Sequence, residues 1–153
     1  MLSNLDGFLV RQSIVEIGLR YAKAIDQRDT VAFCSCFTSD ALWVSSVHEA
    51  RGHTEISIVL ERALSNLDAT QHVTTNFEVV VDVSRATMRS YFVATHVRAP
   101  FPHYVMGGFY NDELILTESG WRISERRLTI QWTTGDASIV GSLEGQGLPV
   151  ELE

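Results

Sequence analysis

The sequence predicts an α+β fold: N-terminal helices pack on one face of a strongly bent antiparallel sheet, a cone with an internal pocket. Three observations carry that prediction. Apolar residues recur at helical spacing as far as Leu67, and after Asp68 the period changes to 2 and stays there. Four long strand-like runs then follow one another across short turns, as hairpins do. The 153 residues suffice for one domain with a core. We place it at residues 1–134, followed by an acidic, glycine-containing tail at 135–153.

Each element follows from its residues. Val10, Ile14, Ile17, Tyr21 and Ile25 form one apolar stripe, predicting an amphipathic helix over 8–27. Asp29 is placed to cap a second, short helix, TVAFCSCF, that stops near the Thr38-Ser39-Asp40 turn. Residues 41–47 read as a strand. Gly52 precedes a third helix that buries Ile56, Val59/Leu60, Ala63/Leu64 and Leu67. The strands, rich in Val, Thr, Phe and Tyr, fall at about 70–82, 85–98, 103–117 and 121–133. Asp82-Val83-Ser84 and Glu118-Ser119-Gly120 supply tight turns, and the Pro100/Pro102 segment a broader one. Gly107-Gly108 within a strand marks a bulge or a close backbone approach.

Composition excludes several classes of function. Nineteen acids face twelve bases, of which one is a lysine (Lys23), so the chain lacks the basic face that nucleic acid requires. Four of the acids lie in the tail, leaving 15 acids against 12 bases in the body, a balance suited to a small, weakly polar ligand. No apolar run approaches the ~18 residues of a membrane span. The first residues carry Asp6 and no base before Arg11, unlike a secretion signal, and point to the cytoplasm. Cys34 and Cys36 on a helix would lie about 200° apart, poor geometry for a shared metal; they read as small hydrophobes in a reducing compartment. No metal motif, phosphate loop or nucleophile elbow occurs, so neither a metal nor a cofactor is expected.

Several residues could carry chemistry. Asp26 stands at a helix C-terminus, where the macrodipole disfavours negative charge by ~0.3–1 kcal/mol. It is either a solvated turn residue or a buried carboxylate in need of a donor. On the first long strand, alternation groups Val73, Phe77, Val79 and Val81 on one face and His72, Thr74 and Asn76 on the other. That polar row faces either solvent or an internal pocket, with His72 as a base. Tyr21 lies about 140° from Asp26 around the helix, so the two share a pocket that wraps the helix end or none. Trp43, Trp121 and Trp132 read as core or pocket wall. Of the adjacent Arg126 and Arg127, parity with Trp121 and Ile123 points Arg127 inward.

Taken together, these pieces resemble the SnoaL-like branch of the NTF2-like (cystatin-like) superfamily. The resemblance rests on Ile14-Val15-Glu16 through Asp26, Phe37 to Trp43, Gly52, His72 to Asn76, Gly107-Gly108-Phe109-Tyr110 and Gly120 to Arg126, spanning most of residues 8–132. That superfamily includes dehydratases, a dehydrochlorinase, isomerases, polyketide cyclases and non-catalytic dioxygenase subunits. In its dehydratase and dehydrochlorinase members an aspartate ending the first helix pairs with a histidine on the first long strand, and Asp26 and His72 match those positions. Tyr21 matches a catalytic-site tyrosine, and Trp43 a pocket-wall tryptophan. The resemblance therefore implies Asp26, His72 and Tyr21 as catalytic residues, with Trp43 and Tyr110 binding the substrate; strand alternation adds Asn76 beside His72, and parity adds Arg127, as further substrate-binding candidates. It implies cofactor-independent proton abstraction from a small, cyclic, largely apolar molecule, as a dehydratase-type lyase, with isomerase, cyclase and binding-subunit roles as alternatives. It also implies a homodimer or homotrimer.

Overall fold

The computed structural model describes residues 4–46, 48–100 and 103–140; most of the acidic tail, residues 141–153, lies outside them. Helix α1 (Asn4–Asp26) buries Ile14, Ile17, Tyr21 and Ile25, the stripe read from the sequence. It begins four residues earlier than the periodicity predicts. The chain then turns through Arg28 at φ 55°, and the Asp29 side chain accepts from the Ala32 amide at 2.8 Å to cap α2 (Thr30–Cys34). The Arg28 guanidinium donates to the carbonyls of Leu64 and Leu67, tying this turn to the end of α3 (Gly52–Leu64).

Helix α2 is shorter than expected. The residues read as a terminating turn, Thr38-Ser39-Asp40, already belong to strand β1 (Phe37–Val44), and Cys36 lies outside the helix, fully buried. Phe37 explains the early start: it is 2% exposed, in the aromatic cluster under α1, and the strand delivers it there. A short β2 (Glu49–Arg51) pairs with β1, and the four long strands follow as β3 (Ala69–Asp82), β4 (Arg85–Val97), β5 (His103–Thr117) and β6 (Gly120–Gly135). A single 3-10 turn, Ala137–Ile139, closes the described chain.

The sheet order is β2-β1-β6-β5-β4-β3. The sheet is mixed rather than wholly antiparallel, because β1 runs parallel to β6 while every other pair is antiparallel. Helices α1 and α3 pack against the sheet at β3 and β1, giving the two-layer α+β architecture with the core between.

Three bulges set which side chains face that core. In β3 one extra residue enters between Thr75 and Glu78, with Asn76 at φ 56°. Before the bulge Thr70, His72 and Thr74 are the half-buried positions; after it, Phe77, Val79 and Val81 are. The sequence grouping on this strand is thus corrected: Val73 is 49% exposed, on the face opposite Phe77's, and Asn76 is exposed at the bulge. In β6 an extra residue at Ser124 reverses parity after Ile123, so Arg126, not Arg127, points inward. A second extra residue, Gln131, sits opposite Gly107-Gly108, where a Cβ on Gly107 would meet the Trp132 indole at 2.3 Å and one on Gly108 the Thr129 carbonyl oxygen at 1.9 Å. Here the glycine pair does serve a close approach.

Candidate active site

Asp26 is the last residue of α1, and β3 is an edge strand whose outer backbone groups no other strand takes up. The carboxylate fills that need. Its Oδ2 accepts from the His72 amide at 2.9 Å, while Oδ1 accepts from the His72 ring at Nδ1 (2.7 Å) and from the Thr70 hydroxyl (2.9 Å). His72 is therefore gripped at ring and backbone by one side chain.

Burial pushes the Asp26 carboxyl up, but the His72 ring, the His72 amide and the Thr70 hydroxyl outweigh it, leaving the carboxyl below its ordinary range. An ionised carboxylate only accepts, so the hydrogen at this contact belongs to His72 Nδ1. In the neutral ring Nε2 then holds the lone pair. The three donors also offset the unfavourable helix end.

The His72 side chain is 9% exposed and lines a cavity of about 150 Å³ between α1, α3 and the sheet. That is the size of a cavity that takes up benzene. Its wall is mainly apolar, including Ile25, Phe92, Leu128 and Trp43, and the polar groups on it are few: Tyr21, Ser45, His72, His96 and Tyr110. Asp26 stands behind His72 rather than on the wall.

Five of the seven residues picked from the sequence come together here. Asp26 and His72 touch, and Tyr21, Trp43 and Tyr110 line the same cavity. Two do not. Asn76 is exposed at the β3 bulge, outside the cavity lining, because the extra residue breaks the alternation that placed it beside His72. Arg127 is exposed and ion-paired with Glu125 at 2.5 Å, because the β6 bulge turned its neighbour inward instead.

That neighbour is the residue the parity reading turned outward. Arg126 is fully buried, bonded to Asp112 through Nε–Oδ1 at 2.7 Å and Nη2–Oδ2 at 2.6 Å. Its guanidinium lies 4.0 Å from the Tyr21 ring centroid and 4.2 Å from that of Tyr110. Burial works against its charge, but Asp112 more than compensates and holds it above its ordinary range. The pair thus fixes two tyrosines of the cavity wall. His96 was also missed; its parity with Phe92 and Ala94 on β4 was the available signal. Among the described residues no cluster of three or more His, Cys, Asp or Glu is arranged to hold a metal ion, and no helix is long and apolar enough to cross a membrane.

Residues 8–127 match the SnoaL-like domain family. The chain belongs to that family. Solved structures agree on the fold. A candidate aromatic ring hydroxylase from Novosphingobium aromaticivorans is 25% identical with a TM-score of 0.80, over 86% of this chain and 96% of that one. An Asp-to-Asn variant of a protein of unknown function from Mycobacterium tuberculosis is 27% identical with a TM-score of 0.76, over 84% of this chain and 76% of that one. A LinA-type3 hexachlorocyclohexane dehydrochlorinase from Novosphingobium barchaimii has a TM-score of 0.78 at 16% identity, over 88% of this chain and 95% of that one; it shares the fold. No curated protein matches the chain. Within this SnoaL-like domain, the hydrogen-bonded Asp26 and His72 sit between α1 and the edge strand, at one wall of the inter-layer cavity.

Proposed function

We propose that this SnoaL-like domain is a cofactor-independent lyase of the dehydratase type, acting on a small, cyclic, largely apolar compound. The observation that carries the reading is the 2.7 Å contact between Asp26 and His72 Nδ1, which leaves Nε2 as the free base on an apolar cavity wall. His72 Nε2 takes a proton from a ring carbon; the C–H electrons form the double bond, and the leaving group departs from the adjacent carbon with its own pair. Asp26 fixes the tautomer and stabilises the imidazolium as it forms. Tyr21 donates a hydrogen bond to the departing oxygen or to an enolate. Trp43 and Tyr110 form part of the wall that holds the ring and excludes water.

The test is Asp26→Asn, assayed by proton NMR in D2O on cyclic carbon acids bearing a β-hydroxyl or β-halide. Deuterium incorporation reports proton abstraction, and alkene signals report elimination. The amide still fits beside Nδ1 but no longer stabilises the imidazolium, so turnover falls by orders of magnitude, up to ~10⁴, while the fold is kept. Near wild-type turnover in Asp26→Asn refutes the dyad. Isomerisation and cyclisation begin with the same proton removal, and product analysis separates them from elimination. The likeness to a candidate ring hydroxylase favours one further reading, a binding subunit with a vestigial pocket; a stable complex with a larger iron-containing chain would establish it.

A further inference from the structure

The cavity holds a second imidazole that the proposed elimination does not use. His96 on β4 is 6% exposed and lines the same wall as His72. The two rings meet edge to face, 82° apart in plane, with centroids separated by 5.9 Å. His96 Nδ1 lies 3.2 Å from the Tyr104 carbonyl oxygen. A carbonyl oxygen accepts and never donates, so Nδ1 carries the hydrogen and Nε2 the lone pair. Among the described residues no hydrogen bond to that Nε2 is formed within the chain. Burial, and secondarily the neighbouring His72, push the ring's pKa down to about 4, so at neutral pH His96 neither carries charge nor gives up a proton.

We infer that His96 Nε2 accepts a hydrogen bond from a hydroxyl group on the substrate ring, so that the cavity selects hydroxylated rings over hydrocarbon or halogenated ones. The inference deepens the substrate-site reading of the cavity and rests on it, though not on the elimination step. A neutral donor suits the surroundings. Asp26 is occupied by three donors behind His72, and Asp112 by Arg126, so neither buried carboxylate is offered to a cationic group. A cavity of about 150 Å³ holds one six-membered ring. A halide or methyl in the hydroxyl's place has no hydrogen to give.

Phenol and toluene, matched in size, are the probes, and their affinities are measured by calorimetry on wild type and His96→Asn. An asparagine amide nitrogen falls where Nδ1 was and keeps the bond to the Tyr104 carbonyl, while nothing replaces Nε2. Phenol is expected to weaken about fivefold in the variant, the worth of one hydrogen bond, with toluene within about twofold. His96→Gln, whose amide reaches the Nε2 position, restores phenol binding. Equal weakening of both probes, or none of either, overturns the inference. Should His96→Asn not fold, the Nε2 nitrogen resonance of wild-type His96 must move on adding phenol and stay fixed on adding toluene; any other pattern overturns the proposal. Asp26→Asn keeps the phenol preference, so failure of the elimination chemistry and failure of this subsite are separable.

Discussion

The buried Arg126–Asp112 pair gives the sharpest stability prediction, through Asp112→Asn. The shape of the side chain is kept and its charge removed. Both side chains are 0% exposed, and two short hydrogen bonds of 2.7 and 2.6 Å join them. Removing one partner of such a pair typically costs about 3–5 kcal/mol, because the remaining charge stays in a medium that does not solvate it. The asparagine carbonyl keeps one of the two bonds, and the Tyr21 and Tyr110 rings at 4.0 and 4.2 Å still face the cation. Those retained contacts place the loss near the lower bound, about 3 kcal/mol. Nη1 of Arg126, buried with no partner among the described residues, offers no reserve. With a urea slope of about 2 kcal/mol/M, the midpoint falls by about 1.5 M. The assay is equilibrium urea unfolding followed by tryptophan fluorescence, with the slope unchanged. The double replacement Arg126→Met with Asp112→Leu removes both charges and is expected to come within about 1 kcal/mol of wild type or above it. A loss below about 1 kcal/mol in Asp112→Asn would refute the reasoning, since the guanidinium would then be reached by water.

Two further predictions concern the glycines and pH. Gly108→Ala puts a Cβ 1.9 Å from the Thr129 carbonyl oxygen and 3.0 Å from the Ile130 Cα, both backbone, so it is expected to cost about 2–3 kcal/mol; Gly7→Ala, with nothing within 4 Å on α1, is expected to gain about 0.5–1 kcal/mol, and thermal unfolding ranks the two. His96 titrates near 4 when folded against about 6.5 unfolded, so below pH 6.5 the unfolded chain takes a proton that the folded chain refuses. Its contribution is flat above that range and falls by up to ~1.4 kcal/mol per unit as pH drops from 6.5 to 4. The stability difference between wild type and His96→Asn should therefore shift by about 3 kcal/mol against wild type between pH 7 and pH 4; a constant difference refutes the assignment.

The long strands were legible in the sequence to within about two residues, since period-2 alternation and turn chemistry are local. Asp26 and His72 were legible from pattern as separate residues, and only the family resemblance joined them as a pair. Forty-six positions separate them, and what joins them is an edge-strand amide meeting a helix end, a tertiary fact. Alternation carries side information only while each residue advances the ladder by one. At Ser124 that count breaks, and two consecutive arginines give no hydrophobic contrast to reveal it, so Arg127 was chosen and Arg126 missed. At Asn76 a signal existed, because Asn tolerates positive φ and its φ is 56°. These irregularities have consequences for the site. Without the extra residue at Ser124, Arg126 would face out and Asp112 would lose its partner. The two tyrosines would then rest on no guanidinium. The extra residue in β3 likewise lets one strand present His72 to the cavity and, five residues on, Phe77 to α1, where strict alternation would put those two side chains on opposite faces. The bulges that defeat a parity reading are what aim polar groups into an otherwise apolar layer.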